Sequence, residues 1–263
     1  MKREFIVGVI VLSLLGLTII LEALIPTQTT ILDPLKEIIG KILHSPFKTS
    51  WLWKSLVYSE QKSLTEMKGK PLKLTLVVKG CAVEISEPES GIAYELKVYT
   101  SKWSTNWDVK TSLKKNDEFN ELFIYASGAL VSLKVNPYIL KAVNITGNGV
   151  SFKISLSNLN KTSFSIEAIG ATVSFDLHYN NALVTNLLIK TKGAVINGNI
   201  QVPKKTPIYA KATSYNSIIK VEIFTEKTET IKIFMGEKSI GKTGGLSILI
   251  HSESSTVNVD AKW

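Results

Sequence analysis

From Lys70 onward the chain alternates apolar and polar residues. Val150, Phe152 and Ile154 are separated by Ser151 and Lys153, Val173, Phe175 and Leu177 by Ser174 and Asp176, and Ile219, Val221 and Ile223 by Lys220 and Glu222. A period of two sends successive side chains to opposite faces of an extended strand, so each run predicts a strand with one buried and one wet face. No stretch after Lys70 shows the 3.6-residue spacing of a long helix.

The alternation is organised around glycines. Gly147, Gly170 and Gly193 are separated by 23 residues each, and a further 23 reaches Asn216. With each as origin, the third, fifth and seventh following positions hold Val150, Phe152, Ile154; Val173, Phe175, Leu177; Ile196, Gly198, Ile200; and Ile219, Val221, Ile223. Four residues upstream stand Val143, Ile166, Ile189 and Ala212. The apolar parity changes across the centre, which requires a bend, and Gly or Asn tolerates the backbone angles of one. Earlier copies surround Gly128 (Leu122, Ile124, Val131, Leu133, Val135) and Gly80 (Leu74, Leu76, Val83, Ile85), the latter failing at Glu87. A constant period marks stacked units that share one core. The expectation is a mainly β protein whose residues 71–263 form a β-solenoid with one coil per 23 residues; an antiparallel β-sandwich of hairpins is the alternative.

Units such as FSIEAIGATVSFDL and LLIKTKGAVINGNI resemble the repeats of the putative-adhesin families of bacteria and archaea. The resemblance covers residues 120–225 and lacks the Gly-Asp step of those repeats, since Ala171 and Ala194 stand in that place. It implies a β-helical or related β fold at the cell surface, with no assigned chemistry.

The first residues have another character. Phe5 to Ile25 form an apolar run with one charge, Glu22, at its far end, preceded by Lys2 and Arg3. At about 1.5 Å per residue such a helix crosses a hydrocarbon core. The basic residues keep residues 1–4 in the cytoplasm and export the remainder. Two rival readings are a cleaved signal peptide, disfavoured by Leu21 where a small residue belongs, and a prepilin-like leader, disfavoured by Pro26. Residues 26–70 read as a juxtamembrane segment. Asp33-Pro34 starts a short amphipathic helix through Leu43, and Trp51 and Trp53 suit a membrane interface or the base of the β domain.

Composition narrows the function. The formal charge is +9, but Arg3 is the sole arginine, and nucleic-acid readers depend on guanidinium forks. No nucleic acid is expected. Cys81 is the one cysteine, which excludes an intramolecular disulfide and a multi-cysteine metal site. His44, His178 and His251 have no metal-ligand spacing, and Glu167, Asp176 and Glu222 are widely separated, where a glycan-cleaving enzyme needs acids gathered on one face. Gly236 to Thr243 fits the phosphate-loop pattern through Gly236, Gly241, Lys242 and Thr243, yet Gly244-Gly245 and a strand-like run follow in place of a helix. It is a chance match, and no cofactor or metal is expected.

Two features point outward. Asn144 and Asn160 begin glycosylation sequons. Tyr94, Tyr99, Trp103 and Trp107, beside Asp108, form an aromatic group that would serve as a sugar-stacking surface, or else as core of an additional strand pair. Together these readings describe a single-pass membrane protein, exposed outside the cell, that binds envelope glycans, other polymers or a surface partner without catalysis. A subunit of an envelope, secretion or pilus-type assembly is the alternative; a carbohydrate-active β-helix enzyme is a third.

Overall fold

The computed structural model describes residues 55–100 and 106–263. The apolar run 5–25, the amphipathic segment with Pro34, Trp51, Trp53 and Trp103 lie outside them. The described residues form strands and no helix, and the first strand, β1 (Ser55–Ser63), falls inside the stretch read as a linker.

The repeating unit is a coil of two strands. β10 (Ser163–Ile169) runs through one sheet, here the front sheet; the chain turns at Gly170 and returns as β11 (Thr172–Asn181) in the facing back sheet. The same step joins β2 (Leu72–Lys79) to β3 (Ala82–Ser86), β6 (Asn120–Ser127) to β7 (Leu130–Val135), and β8 (Leu140–Asn148) to β9 (Ser151–Asn160). It recurs from β12 (Thr185–Lys192) to β13 (Val195–Gln201), from β14 (Ile208–Tyr215) to β15 (Ile218–Phe224), and from β18 (Leu246–Glu253) to β19 (Thr256–Lys262). Inward residues of both sheets, among them Leu74, Ile124, Phe152, Ile166, Val173, Ile189, Ile248 and Val259, merge into one dry core. Burial of this apolar surface is the main stabilising term.

Turns are where the coils are most alike. The turn residue has positive φ, +54° at Gly170 and +52° at Asn216, and its amide donates to the carbonyl of the next coil: Gly170 to Lys192 at 2.8 Å, Gly193 to Glu253 at 3.0 Å, Ser254 to Tyr215 at 3.0 Å. These bonds continue the sheet ladders around the corner, so few backbone groups are left unpaired there.

One element of the expected repeat is corrected. The turn of the third coil is at Gly149 (φ +61°), while Gly147 lies within β8 opposite Ala168. A side chain at 147 would strike the Phe152 ring, its Cβ only 2.3 Å from that ring, so this glycine makes room for core packing and not for a bend. Phe152 consequently pairs with Val173, and Ile154 with Phe175. The apparent repeat had slipped by two residues. A slip of two preserves which face each side chain occupies, so the apolar slots are buried as expected although one rung is displaced.

The solenoid is corrected more substantially. Lane order in the front sheet is β17-β14-β18-β12-β10-β8-β2-β6-β5, with β5 (Asp108–Lys115) and β17 (Gly236–Gly241) as edges. The back sheet runs β16-β15-β19-β13-β11-β9-β3-β7-β4-β1, adding β4 (Ile92–Thr100) and β16 (Thr228–Ile233). From β8 to β13 coils stack in chain order. At either end they do not: the first coil, β2/β3, is inserted between the second and third, and the last, β18/β19, between the fifth and sixth. Beyond them the edge strands β1, β4, β5, β16 and β17 pair antiparallel. The result is two open, mixed sheets with parallel centres and antiparallel rims, neither a closed solenoid nor an antiparallel sandwich. Link lengths follow this path. Two residues join β9 to β10 and three join β11 to β12, but four join β7 to β8 and six join β13 to β14, where the chain crosses an inserted lane.

Candidate functional site

In-register parallel pairing places the outward residues of neighbouring lanes side by side. At the turn edge of the front sheet two such rows adjoin: Glu167, Lys190, His251 and Thr213, then Ile169, Lys192, Glu253 and Tyr215. They line an open groove of about 530 Å³. Its floor is tied by a hydrogen bond between the buried hydroxyls of Thr191 and Ser252, at 2.8 Å. Lys192 Nζ meets Glu253 Oε1 at 3.0 Å across the second row. At one end Tyr215 stands 63% exposed, and at the other Ile169 is 40% exposed.

The groove joins a stacking ring, an aliphatic patch and alternating charges. Tyr215 stands out because Asn216 turns the chain immediately after it, at a corner where Phe234 and Met235 are also exposed. Beyond Thr213, Lys211 Nζ binds Glu237 Oε1 at 2.9 Å, and this contact holds the Glu237 carboxyl below its ordinary range. This surface suits a ligand with an apolar ring face and polar edges.

Of the aromatic group expected from the sequence, Tyr94 is withdrawn from the surface, while Tyr99, paired with Leu130, and Trp107, beside Gly128, flank one turn. Tyr94 is fully buried, its hydroxyl donating to Glu60 Oε1 at 2.6 Å, so its ring belongs to the core. Tyr99 lies half-buried on the other face of β4, Trp107 lies 38% exposed ahead of β5 in the opposite sheet, and Trp103 is outside the described residues. Asn144 is exposed on β8, and Asn160 is exposed at the end of β9, two residues before the buried Thr162.

The phosphate-loop match resolves into an edge strand and the turn that follows it. Gly236 and Gly241 bound β17, antiparallel to β14; the Gly241 amide donates to Glu229 Oε2 at 3.0 Å, and the Lys242 amide to the Ile208 carbonyl at 2.8 Å. These amides are committed to protein acceptors, and no helix N-terminus follows. Glu167 and Glu222 sit on the outer faces of opposite sheets, so the acid pair of a glycan-cleaving site is not assembled from them. Cys81 is buried behind a turn and contacts the Lys79 carbonyl, and burial pushes its thiol pKa up.

Sequence reasoning had singled out only Glu167 and His251 among the groove residues. Lys190, Lys192, Thr213, Tyr215 and Glu253 converge because the last coil inserts beside the fifth, a neighbourhood that chain order does not announce.

No family model matches the chain, and no curated protein matches it in sequence. Among solved structures it is similar to a putative cell adhesion protein from Clostridium sporogenes ATCC 15579, with 18% identity and a TM-score of 0.57, over 79% of this chain and 100% of that one. The likeness is one of fold. Putative adhesins from Bacteroides fragilis NCTC 9343 and Parabacteroides merdae ATCC 43184 are 11% and 12% identical over 80% and 77% of this chain and 98% and 80% of theirs. Their TM-scores, 0.30 and 0.26, lie too low for structural inference.

Proposed function

We propose that this protein is a non-catalytic, membrane-anchored surface protein of the adhesin type that binds envelope polymers along the outer face of its front sheet. The carrying observation is the groove built from two cross-strand rows that end at the exposed Tyr215. Four parallel lanes present it on a fixed backbone, so little order has to be gained on binding. The apolar run 5–25 preceded by Lys2 and Arg3 supports membrane attachment with the β unit outside. The fold shared with a putative cell adhesion protein agrees with this reading.

The test is capture of purified envelope polysaccharides and whole cells by the full chain in detergent or nanodiscs, at low and moderate salt. Binding that survives about a Debye length of 8 Å (0.15 M salt) and falls about tenfold in Tyr215→Ala is expected. Capture that vanishes with salt, or is equal in Tyr215→Ala, overturns the proposal.

A further inference from the structure

The back sheet carries a second groove, on the opposite outer face and at the opposite edge from the first. It is created by an irregularity in β9. Leu156 and Leu159 both point into the core although they are three residues apart, while their partners in β11, Leu177 and Tyr179, are two apart. One extra residue has entered β9, and Asn158 absorbs it at φ +58°. Such a bulge leaves Ser157 and Asn158 both outside the core, where an uninterrupted strand would bury one. The bulge is held in place by the Glu87 carboxylate, which accepts from the Ser157 amide.

Around it the polar side chains are carboxamides, a hydroxyl and an imidazole, beside Tyr179, Val202 and Pro203. Asn180 Nδ2 donates to Asn158 Oδ1 at 3.1 Å, His178 lies beside them with Nε2 at 3.2 Å from Asp176 Oδ1, and Gln201 is exposed one lane away. Together with Ser157 they line an open groove of about 530 Å³. Each carboxamide has two N–H groups and an oxygen with two lone pairs. The Asn180 to Asn158 bond uses one N–H and one lone pair, which leaves an acceptor on Asn180 beside a donor on Asn158. That pairing complements adjacent hydroxyls on a sugar ring. None of the residues lining the groove is a carboxylate or a lysine; the Asp176 carboxylate beside His178 and the Glu87 carboxylate bound to the Ser157 amide flank it, with Lys262 opposite Gln201 and exposed Lys204 and Lys205 following Pro203 in the chain.

We propose that the groove at Ser157, Asn158, His178, Asn180 and Gln201 is a second binding site, for an uncharged, hydroxyl-rich glycan. It differs from the front groove in chemistry: amides and hydroxyls in place of a ring and alternating charges. An αL asparagine is more expensive than glycine at the same angles, and its carboxamide is what glycine would lack.

The experiment titrates the full chain with neutral hexasaccharides of glucose, galactose, mannose and N-acetylglucosamine, with hexagalacturonate as the charged control, at 0.05 and 0.5 M salt. At least one neutral oligomer should bind with an affinity unchanged by salt. Asn158→Gly, which keeps the left-handed backbone and removes the amide, and Gln201→Ala should each weaken that binding by at least fivefold, while Tyr215→Ala leaves it unchanged. Equal thermal unfolding of the variants verifies the fold. The inference is overturned if no neutral oligomer binds, if Asn158→Gly binds like the parent, or if hexagalacturonate is preferred. Tyr215→Ala reads the front groove alone, so either site can fail without the other.

Discussion

The middle coils, β8 to β13, and the two ends of the stack solve one problem differently. In the middle, chain neighbours are spatial neighbours, links are two or three residues long, and the interior is filled by apolar side chains in register. At the ends the first and last coils are inserted out of order, and polar side chains help to close the interior. At the β1 end, Glu60 accepts from Tyr58 at 2.6 Å, from Tyr94 at 2.6 Å and from Thr111 at 3.3 Å, linking β1 and β4 of the back sheet to β5 of the front. A repeat can extend by copying itself, but it must be stopped. Inserted coils and antiparallel rims stop it here, leaving lysine-bearing edge strands where a bare parallel lane would invite pairing with another chain.

The sharpest way to break the middle is through Gly198. It faces Phe175 in the adjacent lane, and a Cβ at 198 would lie 2.0 Å from the ring. Gly198→Ala is expected to cost about 2–3 kcal/mol, because the ring can move only by disturbing packed neighbours. In a domain of about 200 residues this lowers Tm by roughly 6–10 °C. Phe175→Leu added to Gly198→Ala should restore part of the loss, with a coupling of about 1 kcal/mol or more in a thermal or denaturant double-mutant cycle. Independent costs that simply add would show that the ring does not fill the space above Gly198.

That pair also marks how much the sequence discloses. Gly198 is the single exception among the apolar slots of the four units spaced by 23 residues, and the structure explains it by a large neighbour over a missing side chain. Strand positions and buried faces were legible because alternation reports them directly. Register was legible only to within two residues, since Gly147 and Gly149 precede the same parity of apolar positions. Lane order was not legible, because β18 and β19 alternate like any other pair and can fill any lane. The longer links 136–139 and 202–207 are its one trace. The front groove depends on that lane order and was therefore largely hidden. The bulge behind the back groove was visible as Leu156 and Leu159 spaced by three, a break in alternation that has meaning only once their partners in β11 are known.

A smaller effect separates the polar end from the dry middle. Burial pulls the Glu60 carboxyl upward, but hydrogen bonds from Tyr58, Tyr94 and Thr111, with the Lys62 charge, bring it below its ordinary range. A carboxylate whose folded pKa is depressed contributes stability above its unfolded pKa and loses it as pH falls through the folded one. Glu60→Gln places an amide donor against hydroxyl donors and should cost about 1–3 kcal/mol at neutral pH. The difference from the parent should narrow on acidification below the ordinary carboxylate range. A difference in unfolding free energy that is constant with pH would mean that Glu60 acts by packing alone.

The smallest expected effect returns to the middle and has the opposite sign. The three-residue link 182–184 between β11 and β12 places Val184 at φ +54° with its side chain 84% exposed. A β-branched residue in the left-handed region is strained by roughly 1–2 kcal/mol, and a side chain so exposed recovers little by packing. Val184→Gly relieves the strain but adds freedom to the unfolded chain, so a net gain of about 0.5–1 kcal/mol is expected in denaturant unfolding. The six-residue link 202–207, which crosses an inserted lane, has length to spare. Its left-handed residue is Lys205, φ +68°, whose exposed side chain is unbranched at Cβ. Lys205→Gly should therefore gain less than Val184→Gly. Equal gains at the two sites would indicate that strain follows the turn conformation itself and not the tightness with which the middle coils are joined.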